Sequence, residues 1–145
     1  LYLGTTGVPS GIFEFDPATG EMKKIAGTEN KPTSAANTTD GEPGNPLTAT
    51  IGQVEGIAID AEGNLWFSDV TTATVRVLVP GEGGDYTKGT VKTRAGMNFV
   101  SKYPGVDGLG TNAGFKYPCG LLPMPDGSML LADGTGFTIR RIYSK

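Results

Sequence analysis

Two aspartates at equivalent places in the sequence are the first candidates for chemistry. Asp69 ends the apolar segment Leu65-Trp-Phe-Ser68 and Asp133 ends Met129-Leu-Leu-Ala132, so the two carboxylates occupy the same place in two similar segments. A metal or catalytic site would need several carboxylates to converge, because hard cations bind many oxygen ligands. Alternatively, each carboxylate accepts hydrogen bonds from backbone N–H groups of the loop that follows it. Recurrence of the aspartate favours this structural role, because catalytic residues seldom recur in every unit of a repeat.

Arg76 and Arg140 form a second pair with the same spacing as the two aspartates. An arginine at this position could pair with a neighbouring aspartate, or cover apolar surface with its aliphatic stem. The alternative is a ligand role in which the guanidinium holds an anionic group. We favour the structural role and keep both arginines as candidate ligand contacts.

The composition removes several common kinds of chemistry. The chain has no histidine, which is the commonest general base and the commonest metal ligand. Its one cysteine, Cys119, excludes an internal disulfide and a cysteine-rich zinc site. Without a histidine partner, Cys119 is predicted to be a small buried apolar residue and not a nucleophile. We therefore predict no catalytic residue, no metal and no cofactor in this chain.

The charge and hydropathy of the chain exclude two kinds of partner. The formal net charge is −3 and the pI is about 4.9, which argues against a surface that binds nucleic acid. No run of eighteen apolar residues occurs, so we predict no membrane insertion.

Glycine and proline punctuate the sequence and indicate which elements must position these residues. The 23 glycines and 10 prolines are typical of many short strands joined by turns. No amphipathic helix is evident, and the predicted class is all-β. The apolar segments predict ten strands, at 1–6, 11–16, 21–27, 54–60, 65–68, 74–79, 89–95, 118–124, 129–132 and 137–143.

The strands belong to a repeat whose units are offset by a constant interval of 64 residues. Leu1, Leu65 and Met129 occupy equivalent places, and so do Gly56 and Gly120. A recurring antiparallel unit of this kind predicts the four-stranded blades of a β-propeller. The chain would supply about two and a half blades: an incomplete blade at 1–27, a full blade at 54–95 and an incomplete blade at 118–145. Long loops at 28–53 and 96–117 connect them.

The count of strands has a consequence for the ends of the chain. The first unit lacks the innermost strand of a blade and the last lacks the outermost. Two and a half blades cannot close a ring, so we expect the C-terminal portion of a propeller of roughly six blades. Apolar faces would be left open at both ends. The expected partners therefore include the remaining blades or, for the isolated chain, further copies of itself.

Four short motifs recur in the units of the repeat. The second unit has them at Gly56-Ile-Ala-Ile-Asp60, Gly63-Asn64, Leu65–Asp69 and Val75-Arg76, and the last unit at Pro118-Cys-Gly120, Asp126-Gly127, Met129–Asp133 and Ile139-Arg140. This pattern resembles NHL repeats, a family that combines a Gly-apolar-Ala-apolar-Asp strand, a Gly-Asn turn, an apolar strand ending in Asp and an Ile/Val-Arg strand. The last unit departs from it at Pro123, which removes a ladder donor and predicts lost pairing or a bulge.

The resemblance implies a propeller similar to the long-period NHL proteins of bacterial cell surfaces. Many NHL propellers bind proteins and some bind RNA, while related six-bladed propellers include lactonases, esterases and an amidating lyase. The lyase uses histidine ligands that this chain lacks, and the RNA-binding members present a basic face. The resemblance implies an extracellular or cell-surface location, with the periplasm as an alternative.

The predicted function is binding without catalysis. We expect a binding or scaffold domain of a secreted or surface protein that contacts a protein or glycan through the face formed by the long loops. Glu55 and Tyr117 flank the starts of two inner strands, close to the propeller axis, and are the best candidate ligand contacts. The alternative is a lactonase-like or hydrolase-like enzyme whose catalytic residues lie largely in missing blades. A rigid spacer is the third possibility.

Overall fold

The computed structural model describes residues 1–7, 9–29, 38–97 and 107–143. Ten β-strands lie in these ranges: β1 (Tyr2–Gly4), β2 (Ile12–Phe15), β3 (Met22–Ala26), β4 (Val54–Ile59), β5 (Leu65–Asp69), β6 (Thr74–Val79), β7 (Thr90–Ala95), β8 (Pro118–Pro123), β9 (Met129–Asp133) and β10 (Thr138–Ile142). Short 3-10 helices cover Pro46–Thr48, Glu82–Gly84, Tyr86–Lys88, Gly110–Asn112 and Gly134–Gly136. In this part of the chain, no helix has the length and apolar character needed to span a bilayer.

The strands form three antiparallel sheets. The strand orders are β1-β2-β3, β4-β5-β6-β7 and β8-β9-β10. The prediction of an all-β chain is therefore confirmed, and each predicted strand is present with small differences at its ends. Sheets of three, four and three strands are consistent with propeller-like blades, although the described residues do not form a closed ring.

The four-stranded sheet buries both of its faces because apolar residues fill alternate and intervening positions of β5 and β6. Leu65, Phe67 and Leu78 pack into one core cluster with residues of the first sheet. Trp66 and Val77 belong to a second cluster shared with the third sheet. Successive side chains of a strand point to opposite faces of its sheet, so β5 and β6 contribute side chains to both clusters. Burial of each such side chain contributes about 1.5–3 kcal/mol.

The irregularity expected at Pro123 lies elsewhere in the strand. The register of β8 against β9 shifts between Pro118 and Leu121, while Pro123 pairs opposite Met129 at the end of the strand. The register of β4 against β5 shifts between Val54 and Gly56, near the equivalent place in the preceding sheet. The bulge is thus a feature of the repeat, and Pro123 is accommodated because it occupies the last pair.

Large apolar side chains are exposed on the outward faces of the first and third sheets. Leu3 is 46% exposed and Met22 is 62% exposed on the first sheet. Leu122 is 58% exposed and Ile139 is 69% exposed on the third. Most of the equivalent positions of the four-stranded sheet are buried in the two core clusters. No sheet of the described residues covers the outward faces of the first and third sheets.

We predict that the isolated 145-residue chain self-associates through these outward faces. Sedimentation velocity at micromolar concentration should show species larger than a monomer, because each face exposes several large apolar side chains. The double variant Leu122→Lys/Ile139→Lys should shift the population towards the monomer. A stable, cooperatively folding monomer of the unmodified chain would contradict this expectation.

Candidate functional site

The two recurrent aspartates fix the segments that lead into β4 and β8, the first strands of the second and third sheets, which we call the inner strands. Asp69 is buried, and its carboxylate accepts hydrogen bonds from the backbone N–H of Gly52 (2.9 Å) and of Thr72 (3.3 Å). Asp133 is also buried and accepts from the N–H groups of Lys116 (2.9 Å) and Tyr117 (2.6 Å). Neither Gly52 nor Tyr117 belongs to a strand, so these N–H groups have no ladder partner there.

The position of these donors differs from the expectation. The sequence predicted donors in the loop after each aspartate, whereas most of them lie in the segment before the inner strand. Among the described residues, Thr72 is the one backbone donor to the Asp69 carboxylate that lies in the loop after it. Each carboxylate therefore ties the end of the second strand of a sheet to the start of the first strand.

Burial and hydrogen bonding act in opposite directions on Asp69. Burial raises the pKa of this carboxyl above its usual value, and the Gly52 N–H and the Arg76 guanidinium only partly offset that effect. No group of three or more His, Cys, Asp or Glu side chains in the described ranges is arranged to hold a metal ion.

Arg76 is fully buried and connects the long loop before β4 to the four-stranded sheet. Its guanidinium donates to Asp40 Oδ1 (2.9 Å) and to the carbonyl oxygens of Thr50 (2.6 Å) and Thr39 (2.9 Å). A longer contact of 3.5 Å joins it to Asp69 Oδ2. A guanidinium with no exposed surface contacts no external ligand in this conformation. These contacts support the structural role that the sequence analysis favours for Arg76.

Arg140 repeats this arrangement in a shallower setting. It donates to the carbonyl oxygen of Gly114 (3.2 Å), which is the repeat equivalent of Thr50, and to Asp107 (2.5 Å). Its side chain is 11% exposed, while that of Asp107 is 93% exposed. Arg140 thus holds the loop that precedes β8, and a structural role accounts for its contacts.

The structure brings Glu55 and Tyr117 together from two neighbouring sheets. Tyr117 Oη donates to Glu55 Oε1 at 3.2 Å. Gln53 Nε2 donates to the same carboxylate oxygen and lies 3.4 Å from Tyr117 Oη. We call Gln53, Glu55 and Tyr117 the inner-strand cluster, because they lie at the starts of β4 and β8. Glu55 is exposed, and the other two are partly exposed.

Gln53 was not among the sequence candidates, although the repeat contains a signal for it. Gln53 and Tyr117 are separated by 64 residues and therefore occupy the same place in two consecutive units. In each case a buried aspartate holds the adjacent backbone, through Gly52 for one and through Tyr117 itself for the other. An equivalent frame thus presents an amide in one unit and a phenol in the next.

The phenol of Tyr117 is arranged as a hydrogen-bond donor. Desolvation raises its pKa, and the hydrogen bond to Glu55 and the negative charge of that carboxylate raise it further. The hydroxyl therefore stays protonated at neutral pH and donates a hydrogen bond to Glu55.

The two inner strands approach closely at Gly56. Its N–H donates to Ser68 Oγ (2.9 Å), and the Ser68 hydroxyl donates to the carbonyl oxygen of Cys119 (2.8 Å). A Cβ atom at Gly56 would lie 3.0 Å from the carbonyl carbon of Cys119. At the equivalent Gly120, the nearest atom to an added Cβ is Ala132 Cβ at 3.8 Å. Gly56 therefore permits the contact between sheets, whereas Gly120 does not require glycine for space.

Cys119 differs from its expected environment. The prediction was a buried apolar residue, whereas Cys119 is partly exposed and its thiol donates to the carbonyl oxygen of Ala132 at 3.1 Å. Cys119 lies in β8, which is an edge strand of its three-stranded sheet and has a hydrogen-bonded neighbouring strand on one side only.

Trp66, the single tryptophan, contacts the turn between β4 and β5, at the end of β4 that lies opposite to the inner-strand cluster. Trp66 is 7% exposed and its Nε1–H donates to Asp60 Oδ2 at 2.7 Å. Burial acts to raise the pKa of Asp60, but hydrogen bonds from Trp66, Asn64 and Glu62 outweigh it, and the pKa lies below its usual value. The ionised form of Asp60 therefore stabilises the folded state, and this contribution is present above the unfolded-state pKa of about 3.9.

We predict that Asp60→Asn lowers the free energy of unfolding by about 1 kcal/mol at pH 7, since solvent screens this partly exposed site. The difference from the unmodified chain should shrink below about pH 4, because the depressed pKa means that protonation of Asp60 removes the same contribution. Urea unfolding followed by Trp66 fluorescence at pH 7 and pH 3 measures both values. An equal difference at the two pH values would contradict the assignment.

Comparison with known proteins shows similarity at the level of fold. No protein-family model matches the sequence, and no curated protein matches it. A structural genomics protein of unknown function from Bacteroides thetaiotaomicron VPI-5482 is 26% identical over 97% of this chain, with a TM-score of 0.73. An auxiliary nutrient binding protein from Bacteroides ovatus ATCC 8483 is 20% identical over 91% of the chain, with a TM-score of 0.61.

A candidate phosphatase from Bacteroides thetaiotaomicron VPI-5482 is 17% identical over 90% of the chain, with a TM-score of 0.61. The chain spans 31%, 31% and 29% of these three solved structures, respectively. Over nearly its whole length, the chain therefore shares its all-β fold with part of larger Bacteroides proteins.

Proposed function

We propose that this chain is part of an NHL-like β-propeller that binds a ligand and performs no catalysis. The blades would be an incomplete unit at 1–27, a full unit at 54–95 and an incomplete unit at 118–145. The ligand, a protein or a glycan, would contact the face formed by the long loops at 28–53 and 96–117. Residues 30–37 and 98–106 of these loops lie outside the described residues. The inner-strand cluster carries this proposal, because two neighbouring sheets bring its exposed or partly exposed polar side chains together where the loops end.

The repeat itself supports a binding role. Asp69 and Asp133 are the same residue in consecutive units and hold the same backbone segments. Gln53 and Tyr117 are different residues at one equivalent position, and they project from that common frame. Such a division between constant and variable positions suits a repeat protein that binds a ligand, because the constant residues maintain the scaffold while the variable residues determine what is bound.

The name of one structural neighbour gives independent motivation. The protein from Bacteroides ovatus is described as an auxiliary nutrient binding protein. By analogy, we propose that the present chain belongs to a binding protein at the bacterial surface or in the periplasm. The analogy concerns fold alone, so the assignment depends on the inner-strand cluster.

A hydrolase-like enzyme is the second candidate, and the neighbour described as a candidate phosphatase motivates it. Within the described ranges, Asp69 already binds Gly52 and Arg76. The hydroxyl beside Glu55 is that of Tyr117, whose raised pKa keeps it protonated, so we assign it the role of a hydrogen-bond donor. The second candidate therefore draws on catalytic residues outside the described part of this chain.

Binding of the 145-residue chain to arrayed glycans and arrayed peptides tests the proposal. We expect at least one array to show specific binding that is lost in Glu55→Ala/Tyr117→Ala. The matched control is Glu62→Ala, which removes an exposed carboxylate from the turn at the opposite end of β4. Binding that survives in the double variant would contradict the site. Hydrolysis of model esters or phosphates without any binding would favour the second candidate.

A further inference from the structure

The hydrogen-bonding capacity of the inner-strand cluster is only partly used within the protein. Glu55 Oε1 accepts from Gln53 Nε2 and from Tyr117 Oη. The described residues place no donor on Glu55 Oε2 and none on the amide oxygen of Gln53. The cluster therefore presents acceptors to solvent, and the hydroxyl and amide add donors that can turn towards a ligand.

We propose that the inner-strand cluster binds a neutral carbohydrate through adjacent hydroxyl groups. This inference rests on the proposed binding function and names the class of ligand. A sugar hydroxyl both donates and accepts, so one hydroxyl can donate to Glu55 while its neighbour accepts from Gln53 or Tyr117. A few fixed polar groups of this kind determine the orientation of a small ligand.

The chemistry of the cluster fits hydroxyl groups better than a cation. An ammonium ion only donates, so it would leave the donors of Gln53 and Tyr117 without an acceptor on the ligand. A single exposed carboxylate also holds an ammonium weakly, by about 1 kcal/mol or less. A calcium ion needs six to eight oxygen ligands, and the described residues contain no acidic group that approaches this number.

The cluster is held in place before any ligand binds. Asp133 accepts from the backbone N–H of Tyr117 at 2.6 Å, and Gly134 donates to the carbonyl oxygen of Tyr117 at 2.9 Å. On the neighbouring sheet, the N–H of Gln53 donates to Thr71 Oγ1 at 2.9 Å. Fixed backbone on both sides reduces the entropy lost when a ligand orders these side chains.

Saturation-transfer NMR with methyl glycosides of several neutral sugars tests the proposal and tolerates self-association of the chain. We expect transfer to the ring protons of at least one glycoside, with a Kd on the order of 1 mM, as a few hydrogen bonds provide. Glu55→Gln and Tyr117→Phe should each weaken binding at least fivefold. Glu62→Gln is the matched control and should bind as the unmodified chain does. Circular dichroism checks that every variant is folded.

Parallel titrations with methylamine and calcium chloride separate the other ligand classes. Binding of either ion in preference to every glycoside would overturn the carbohydrate assignment and leave the proposed function standing. Glycoside binding that is unchanged in Glu55→Gln and Tyr117→Phe would overturn the location. If no glycoside binds while an arrayed peptide binds through Glu55 and Tyr117, the carbohydrate class is wrong and the binding function is retained. If no glycoside, ion or arrayed molecule binds, both proposals fail.

Discussion

Replacement of Arg76 by Met should lower the free energy of unfolding by about 3 kcal/mol, because it leaves the buried Asp69 carboxylate and the partly exposed Asp40 carboxylate without their cationic partner. Arg76 has no exposed surface and donates to Asp40, with Asp69 Oδ2 at 3.5 Å. Met keeps much of the side-chain volume, so the effect reports the lost charge and hydrogen bonds. Urea unfolding followed by Trp66 fluorescence measures the difference.

Arg140→Met is the matched control for this prediction. Arg140 occupies the equivalent place in the next repeat unit and makes equivalent contacts, but its partner Asp107 is 93% exposed. Water can solvate the released carboxylate, so we expect a loss of about 1 kcal/mol. Equal losses in the two variants would contradict the conclusion that burial distinguishes the two arginines.

The pH dependence of the Arg76→Met variant gives a further check on the same site. Burial already raises the pKa of Asp69 in the presence of Arg76. Without the guanidinium, the folded state binds a proton at Asp69 more tightly than the unfolded state does. A raised pKa in the folded state means that stability decreases as pH rises through it. The loss caused by Arg76→Met should therefore be smaller at pH 4 than at pH 7.

The strands and their repetition could be predicted because they depend on local pattern. In segments such as Thr74–Val79, apolar residues occupy every second position, which is the pattern of a strand with a buried face. The constant spacing of the repeat appears by direct comparison of positions. The bulge at the start of β8 could not be placed in this way. Pro123 was the only visible irregularity, whereas the shift follows from the geometry that β4 and β8 share.

The candidate site was predictable only in part, for a physical reason. Glu55 and Tyr117 could be chosen because both flank the starts of inner strands, but the sequence does not show that they share a hydrogen bond. The partners of Arg76 were further out of reach, because Asp40 lies 36 residues earlier in an irregular loop. Secondary-structure propensity and hydrophobic periodicity do not specify which loop residue pairs with which residue of a sheet. That information comes from the packing of one sheet against the next.

The scaffold and the site are connected through these loops. Arg76 and Asp69 hold the segment that ends at Gly52, and Gln53 follows directly. Asp133 holds the backbone of Tyr117 in the same way. Buried charges at the ends of the sheets thus determine where the exposed polar side chains lie. A change in the frame should therefore alter binding even where the inner-strand cluster is intact.

Gly56→Ala should lower the free energy of unfolding by about 3 kcal/mol, at the upper end of the usual cost of overpacking. The added Cβ would overlap the carbonyl oxygen of Cys119 and lie 3.2 Å from Ser68 Oγ. Backbone atoms cannot rotate away as a side chain can, so β4 and β8 must separate. The Ser68 hydroxyl would then lose its contact with Cys119. Urea unfolding again measures the change.

Gly120→Ala is the comparison that makes this prediction specific. The nearest neighbour of an added Cβ is 3.8 Å away, and Gly120 is exposed. Because glycine weakens a strand by about 0.5–1 kcal/mol relative to alanine, this variant should be as stable as the unmodified chain or slightly more so. Separation of β4 from β8 should also draw Glu55 away from Tyr117, so Gly56→Ala should weaken glycoside binding while Gly120→Ala preserves it. Equal stability and equal binding in the two variants would show that the contact between the inner strands neither holds the sheets together nor forms the site.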